Sequence, residues 1–162
     1  MEQKQQTFGV VYRKATLGEI IDLREEILIK GTDRNSPEFD MDHFPDTLHM
    51  GAFTDGKNIA CLSLMRVDYE GQTAYQLRGM AVRPEFRNKG FGKSLLNFSE
   101  RWVVRHSSVR LLWCNPRTSA VDYYVRLGWE RVSEEFTIEG VGPHVRMIRR
   151  IGSGPRAPRR IG

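Results

Sequence analysis

One stretch of the chain concentrates residues that could bind a phosphorylated ligand: Met80-Ala81-Val82-Arg83-Pro84-Glu85-Phe86-Arg87-Asn88-Lys89-Gly90-Phe91-Gly92-Lys93-Ser94. It reads as a strand, a turn and the start of a helix. The first amides of a helix lack intrahelical acceptors and lie at the positive end of its dipole. A pyrophosphate supplies the negative charge and the acceptors they lack. Gly90 and Gly92 let phosphate oxygens approach the backbone without a Cβ in the way. Arg87, Lys89 and Lys93 add positive charge at the same spot.

Two rival phosphate motifs fail on single residues. Gly92-Lys93-Ser94 matches the end of a nucleotide P-loop, but that motif needs glycine where Arg87 stands. A dinucleotide fingerprint needs a third glycine where Leu95 stands. Cys114 could act as a covalent nucleophile. No base adjoins it in the sequence, and a packed core thiol is the plainer reading, as it is for Cys61. The four histidines, His43, His49, His106 and His144, are scattered, and no Cys/His pairing has ligand spacing. No metal site is expected.

The elements that must position these groups follow from periodicity. Phe8–Arg13 reads as a strand. Thr16 and Glu19 form a capping-box pattern ahead of Leu17, Ile20, Ile21, Leu23, Ile27 and Leu28, which recur at helical spacing up to Gly31. Residues 31–46 form a polar loop with two prolines and four aspartates. Three strands follow, Thr47–Thr54, Asn58–Asp68 and Thr73–Val82, joined by turns at Asp55-Gly56 and Glu70-Gly71. A long helix starts at Gly90, with Phe91, Leu95, Phe98 and Trp102 on one face. Val109–Cys114 reads as a buried strand. A short helix over 118–127 stops at Gly128, and Trp129–Ile138 and Val145–Ile151 complete the order β-α-β-β-β-α-β-α-β-β.

The 162 residues suit one domain, expected over 1–151, with 152–162 a disordered basic tail rich in Gly, Pro and Arg. Hydrophobic residues at 40% and charged residues at 28% mark a globular protein, and no apolar run is long enough to span a bilayer. The polar N-terminus has no apolar signal core, so a cytoplasmic location is expected. Net charge is +5, and setting aside the three tail arginines leaves +2. The body is nearly balanced, which argues against a nucleic-acid partner.

The segment Arg87-x-x-Gly90-x-Gly92 after Met80-Ala81-Val82-Arg83-Pro84 resembles motif A of the GNAT superfamily of N-acetyltransferases. A second block, Asn115 followed by Ala120-Val121-Asp122-Tyr123-Tyr124-Val125-Arg126-Leu127-Gly128-Trp129, is similar to a later motif of the same superfamily. The resemblance covers roughly 8–150 and, more loosely, points to its small ElaA-like branch. It implies an α+β (or α/β) fold with a central, mixed, mostly antiparallel twisted sheet of about seven strands flanked by helices.

The resemblance also implies the ligands and the site. Acetyl-CoA is the expected co-substrate, without metal, and a primary amine on a small molecule or peptide is the acceptor, attacked directly in a ternary complex. Met80, Ala81 and Val82 would meet the pantetheine arm, with a bulge near Arg78-Gly79. Arg87, Asn88, Lys89, Gly90, Phe91, Gly92 and Lys93 would hold the pyrophosphate. Asn115 would bond the arm, although an asparagine there also suits a helix N-cap. Tyr124 would protonate the leaving thiolate, although Tyr123 and Tyr124 could also be core aromatics. Arg24, on an otherwise apolar helix face, is the candidate acceptor-binding residue, and the acidic stretch Glu38–Asp42 would attract a cationic amine.

No carboxylate on the strand before the turn offers a general base, which leaves Glu70, Asp42, His43 and His144 as remote candidates. Homodimers are common in the superfamily. A non-catalytic acyl-CoA sensor would keep Arg87, Gly90 and Gly92 without needing Tyr124.

Overall fold

The computed structural model describes residues 4–7 and 9–152. The tail expected to be disordered therefore lies, from residue 153 on, outside the described residues.

The order of elements follows the expected alternation, with additions at both ends. β1 (Lys4–Thr7) and β2 (Val10–Ala15) precede α1 (Leu17–Arg24). β3 (Leu48–Thr54), β4 (Lys57–Arg66) and β5 (Tyr75–Val82) form the meander. α2 (Phe91–His106), β6 (Leu111–Cys114) and α3 (Val121–Arg126) follow, then β7 (Glu130–Arg131), β8 (Phe136–Ile138), β9 (Gly142–His144) and β10 (Met147–Arg150). The main sheet has eight strands in the order β1-β2-β3-β4-β5-β6-β10-β7, and β8 and β9 form a separate hairpin. Every pairing in the main sheet is antiparallel except β5 with β6. The expected sheet of about seven strands, mixed and mostly antiparallel, is thus observed with one extra N-terminal strand. The single strand expected over Trp129–Ile138 is instead two short ones in different sheets.

β4 is buried from residue 58 to 65, so both faces of the sheet are covered. Ala60, Leu62 and Leu64 belong to the large core, shared with Leu95, Leu96, Phe98 and Val103 of α2. Cys61, pointing the other way, packs with Ile20 and Leu23 of α1 and Ala81 of β5. The period of two along a strand thus assigns one helix to each face.

α1 starts at the expected capping box: Thr16 Oγ1 accepts from the Glu19 amide, and Glu19 accepts from the Thr16 amide. The helix does not run on to Leu28 in one form. Glu25–Ile29 is a π-turn, closed by Lys30 N–H donating to the Glu25 carbonyl. The extra residue in that turn re-aims Leu28 and Ile29 relative to a continued α-helix.

Arg24 on α1 is a correction to the sequence reading. It was expected to reach the acceptor, but its side chain is wholly buried under the loop 31–46. Its guanidinium donates to both carboxylate oxygens of Asp42, at 2.7 and 3.1 Å, and to the Pro37 carbonyl and Ser63 Oγ, each at 2.9 Å. His49 continues the network: Ser63 Oγ–H donates to its Nδ1, and its Nε2–H donates to the Asp42 carbonyl. Burial lowers the His49 pKa, in keeping with this neutral tautomer. Burial raises the Asp42 carboxyl, but Arg24 and the Phe39 amide outweigh it and leave the group below its usual range. The network fastens the loop to α1, β3 and β4. The acidic stretch therefore does not attract a cationic amine through Asp42, whose charge is spent on Arg24.

Candidate active site

β5 and β6 run parallel for only two registered pairs, Tyr75 with Leu112 and Gln76 with Trp113. Beyond them the strands diverge. The fork opens into a cavity of about 340 Å³, bounded by Leu77 to Met80 on one arm and Cys114 to Pro116 on the other. Leu28 and Ile29 of the π-turn, Arg34 and Phe39 of the loop, and Tyr124 of α3 close its sides.

The expected bulge is present on β5. Ser63 pairs with Arg78 and Cys61 with Ala81, so Gly79 and Met80 share the space opposite Leu62. Gly79 has φ +66°, and a Cβ there would meet the Arg24 side chain at 2.9 Å and Phe39 at 3.1 Å. Only glycine satisfies both constraints.

Past β5 the chain turns through Asn88, at φ +60°, and Gly90, at φ +86°, into α2. No side chain caps this helix start, and its first backbone bond runs from Ser94 N–H to the Gly90 carbonyl. The amides before Ser94 thus face outward without an intrahelical acceptor. Around them Arg87, Lys89 and Lys93 are exposed, and Arg87 is steadied by its Nε–H donating to the Val82 carbonyl at 3.0 Å. Phe91 packs edge-on to Phe86 with centroids 5.9 Å apart. Gly92 lets α2 lie against β5: a Cβ there would fall 2.5 Å from the Tyr123 hydroxyl and 3.2 Å from Met80 Cε. An uncapped helix start, clear space above Gly90 and three cationic side chains suit a pyrophosphate group. A fork leading away from it suits an extended arm. The residues present therefore fit coenzyme A.

Tyr124 is buried, and its hydroxyl donates to Met80 Sδ at 3.5 Å, across the fork from α3 to β5. The rings of Tyr123 and Trp129 flank it edge-on, both at 5.4 Å. Burial raises its pKa well above that of a free phenol, so the group stays protonated and can act only as a proton donor near neutral pH. Asn115 lines the same cavity, and its Oδ1 accepts from Arg146 Nε at 3.0 Å. That contact leaves the amide N–H groups as the donor side for a ligand.

Not every expected site residue reaches the cavity. Met80 lines it, but Ala81 turns to the α1 face of the sheet, and Val82 packs beside Gly92. Residues 87–93 lie outside the cavity, beyond the end of β5. Of the remote base candidates, His43 is exposed beside Glu38, Asp42 is tied to Arg24, and Glu70 is exposed in a turn. Only His144 comes to the cavity, buried on β9. Its Nδ1–H donates to the Gly142 carbonyl at 2.7 Å, which leaves the Nε2 lone pair unprotonated in the neutral ring.

Cys114 lines the cavity as well, but burial pushes its thiol far above the usual range, so it is a poor nucleophile. Sequence reasoning missed Arg34, Phe39, Arg78 and Arg117, which line the cavity from segments far apart in the chain. No group of described residues offers three or more metal-ligating side chains, and no described helix is long and apolar enough to cross a membrane.

Comparison with known proteins agrees with the fold. The model of the acetyltransferase (GNAT) family matches residues 18–129. The uncharacterised N-acetyltransferase YitI of Bacillus subtilis (strain 168) is 32% identical over 131 residues, covering 79% of this chain and 87% of that protein. Among solved structures, an acyl-CoA N-acyltransferase from Pseudomonas aeruginosa superposes with a TM-score of 0.72 at 23% identity, covering 86% of this chain and 99% of that one. Escherichia coli ElaA superposes with a TM-score of 0.69 at 16% identity over 92% of this chain and 99% of its own.

Proposed function

The chain belongs to the GNAT acetyltransferase family, an acyl-CoA-dependent class of N-acyltransferases, and from that premise we propose that it moves the acetyl group of acetyl-CoA to a primary amine by direct attack in a ternary complex. The observation that carries this reading is the buried, protonated Tyr124 phenol, 3.5 Å from Met80 at the bulge where β5 leaves β6.

Bound acetyl-CoA supplies an activated acyl group and a thiolate leaving group. The amides opening α2, with Arg87, Lys89 and Lys93, hold its pyrophosphate. The amide side of Asn115 and the backbone of Met80 to Val82 orient the arm. Gly79 and Met80 have no register partner on β4, so backbone N–H groups of the bulge stabilise the charge that develops on the carbonyl oxygen. His144 Nε2 takes the proton from the attacking nitrogen. As the C–S bond breaks, Tyr124 Oη gives its proton to sulfur. The sensor alternative has no use for a buried phenol at the fork, and direct transfer has no need of Cys114.

The test is the melting temperature with and without saturating acetyl-CoA, for wild type and Gly92→Trp. A ligand that binds only the folded state raises the melting temperature. A rise that the variant loses, followed by thiol release when amines are added, is the expected result. A folded wild type whose melting temperature does not move refutes the reading.

A further inference from the structure

The walls of the cavity carry a charge pattern that acetyl transfer alone does not require. Arg34, Arg78, Arg117 and His144 line it, and no aspartate or glutamate does. Three guanidinium groups surround the one ring of Phe39: Arg24 Cζ and Arg78 Cζ each lie 4.1 Å from its centroid, and Arg34 Cζ lies 4.9 Å from it. Arg24 has a counter-ion in Asp42, whose two oxygens are both engaged. Arg117 donates to the Leu28 carbonyl at 3.5 Å. Among the described residues, the guanidinium groups of Arg34 and Arg78 enter no ion pair and no hydrogen bond; each packs over the ring of Phe39.

Arg78 is half-buried. Loss of solvation, followed by repulsion from Arg34 and Arg24, lowers its affinity for its own proton, while Asp42 and Asp40 offset this in part. A cation–π contact does not neutralise the charge. The position is equally informative. Arg78 adjoins Gly79 and Met80, the bulge at which the acyl group is presented, and Arg34 stands on the loop that walls the side facing β5.

Resting on the acyl-transfer reading above, we propose that the acceptor is an amine bearing an anionic group, a carboxylate or a phosphate, within a few bonds of its nitrogen. Arg78 and Arg34 take that group as a pair of charge-assisted donors, and Phe39 fixes the two guanidinium planes beneath it. The acyl carbon and the amine then meet because the anion has been seated first. Amines without such a group leave two unneutralised guanidinium groups in the cavity wall and are rejected on that ground.

The experiment uses the full chain. Saturating CoA is added first. A rise in melting temperature establishes donor binding, and its absence counts against the acyl-transfer reading rather than this one. The CoA-loaded protein is then titrated at constant ionic strength with N-acetylglycine, with inorganic phosphate and with uncharged N-acetylglycinamide. Wild type should be stabilised further by at least one of the anions and not by the amide. Arg34→Ala and Arg78→Ala should each raise the half-saturating anion concentration about ten- to hundredfold, the effect of losing a charged hydrogen bond, without moving CoA affinity.

Arg34→Ala is in the loop 31–46, outside the sheet, and keeps the test open if Arg78→Ala fails to fold. A response to N-acetylglycine alone assigns a carboxylate, and a response to phosphate alone assigns a phosphate. No response to either anion, or a response in both variants equal to that of wild type, overturns the proposal. So does a third outcome: succinyl-CoA binding more than tenfold tighter than acetyl-CoA, with that preference lost in Arg78→Ala, would place the anion on the donor.

Discussion

Replacing Gly92 by alanine adds one methyl group at the point where α2 meets β5. The backbone there is not in the left-handed region, so the cost is one of space alone. The new carbon would sit 2.5 Å from the Tyr123 hydroxyl, 3.2 Å from Met80 Cε and 3.3 Å from Val82 Cγ2. All three are ends of side chains, but they belong to α3 and β5, and Met80 also holds the Tyr124 hydroxyl. Relief therefore requires α2 to lift from the sheet or the Tyr123 ring to move. Overpacking of this kind costs about 1–3 kcal/mol. For a chain of this size that is a fall of about 2–12 °C in melting temperature. Displacing the start of α2 also moves its opening amides, and losing one charge-assisted bond to phosphate weakens CoA at least about tenfold.

Gly90→Ala is the control for stability alone, because its added carbon meets no protein atom within 4 Å and its folding cost lies in φ +86°; it stands in the space given to the phosphate and should weaken CoA as well. Urea unfolding gives the stability of each variant, and isothermal titration with CoA gives the affinity. A Gly92→Ala protein as stable as wild type, with the same CoA affinity, would refute the close-approach argument and with it the role given to this glycine.

Tyr124→Phe removes the proton donor and keeps the ring; kcat should fall by about 10²–10⁴ with CoA affinity unchanged, read by thiol release and titration. His144→Gln should lower kcat with CoA affinity unchanged, and turnover equal to wild type would remove His144 from the reaction. Asp42→Ala strands Arg24 in the core and should cost about 3–5 kcal/mol in urea unfolding. Stability should also depend on pH in two windows. The folded pKa of His49 lies below its ordinary value, so the unfolded chain takes up the proton first, and stability falls as pH drops below about 6.5 toward the lower folded value. The folded pKa of Asp42 is likewise depressed, so its contribution is present above about pH 4 and is lost as pH falls through the folded value. His49→Gln should flatten the upper window in denaturation curves and leave the lower one.

What the sequence disclosed was local. The capping box of Thr16 and Glu19, the turns at Asp55-Gly56 and Glu70-Gly71, and the glycine stop at Gly128 each depend on neighbours within a few residues, and each stands where spacing put it. The bulge at Gly79 was legible for the same reason. Arg24 was misread because a charge on an apolar face looks alike whether it lines a cleft or pairs in the core, and Asp42, which decides between them, is 18 residues away. His144 carried no local signal for its place in the cavity, since the β8–β9 hairpin that brings it there is short and weakly patterned. The convergence of Arg34 and Arg78 on Phe39 joins a loop to a strand and is invisible to any periodicity. Lys4–Thr7 is polar throughout and becomes a strand only by pairing with β2.

The network of Arg24, Asp42, Ser63 and His49 has a consequence for the timing of catalysis. Because it fixes the loop 31–46 to two strands and a helix, the wall that carries Arg34 and Phe39 is ordered when the chain folds, before any acceptor arrives. An acceptor then enters a cavity whose shape is already set, and loses little of its binding energy to ordering the protein. Association should be a single fast phase in stopped-flow, without a slow isomerisation. Discrimination among amines would then reside in how quickly they leave.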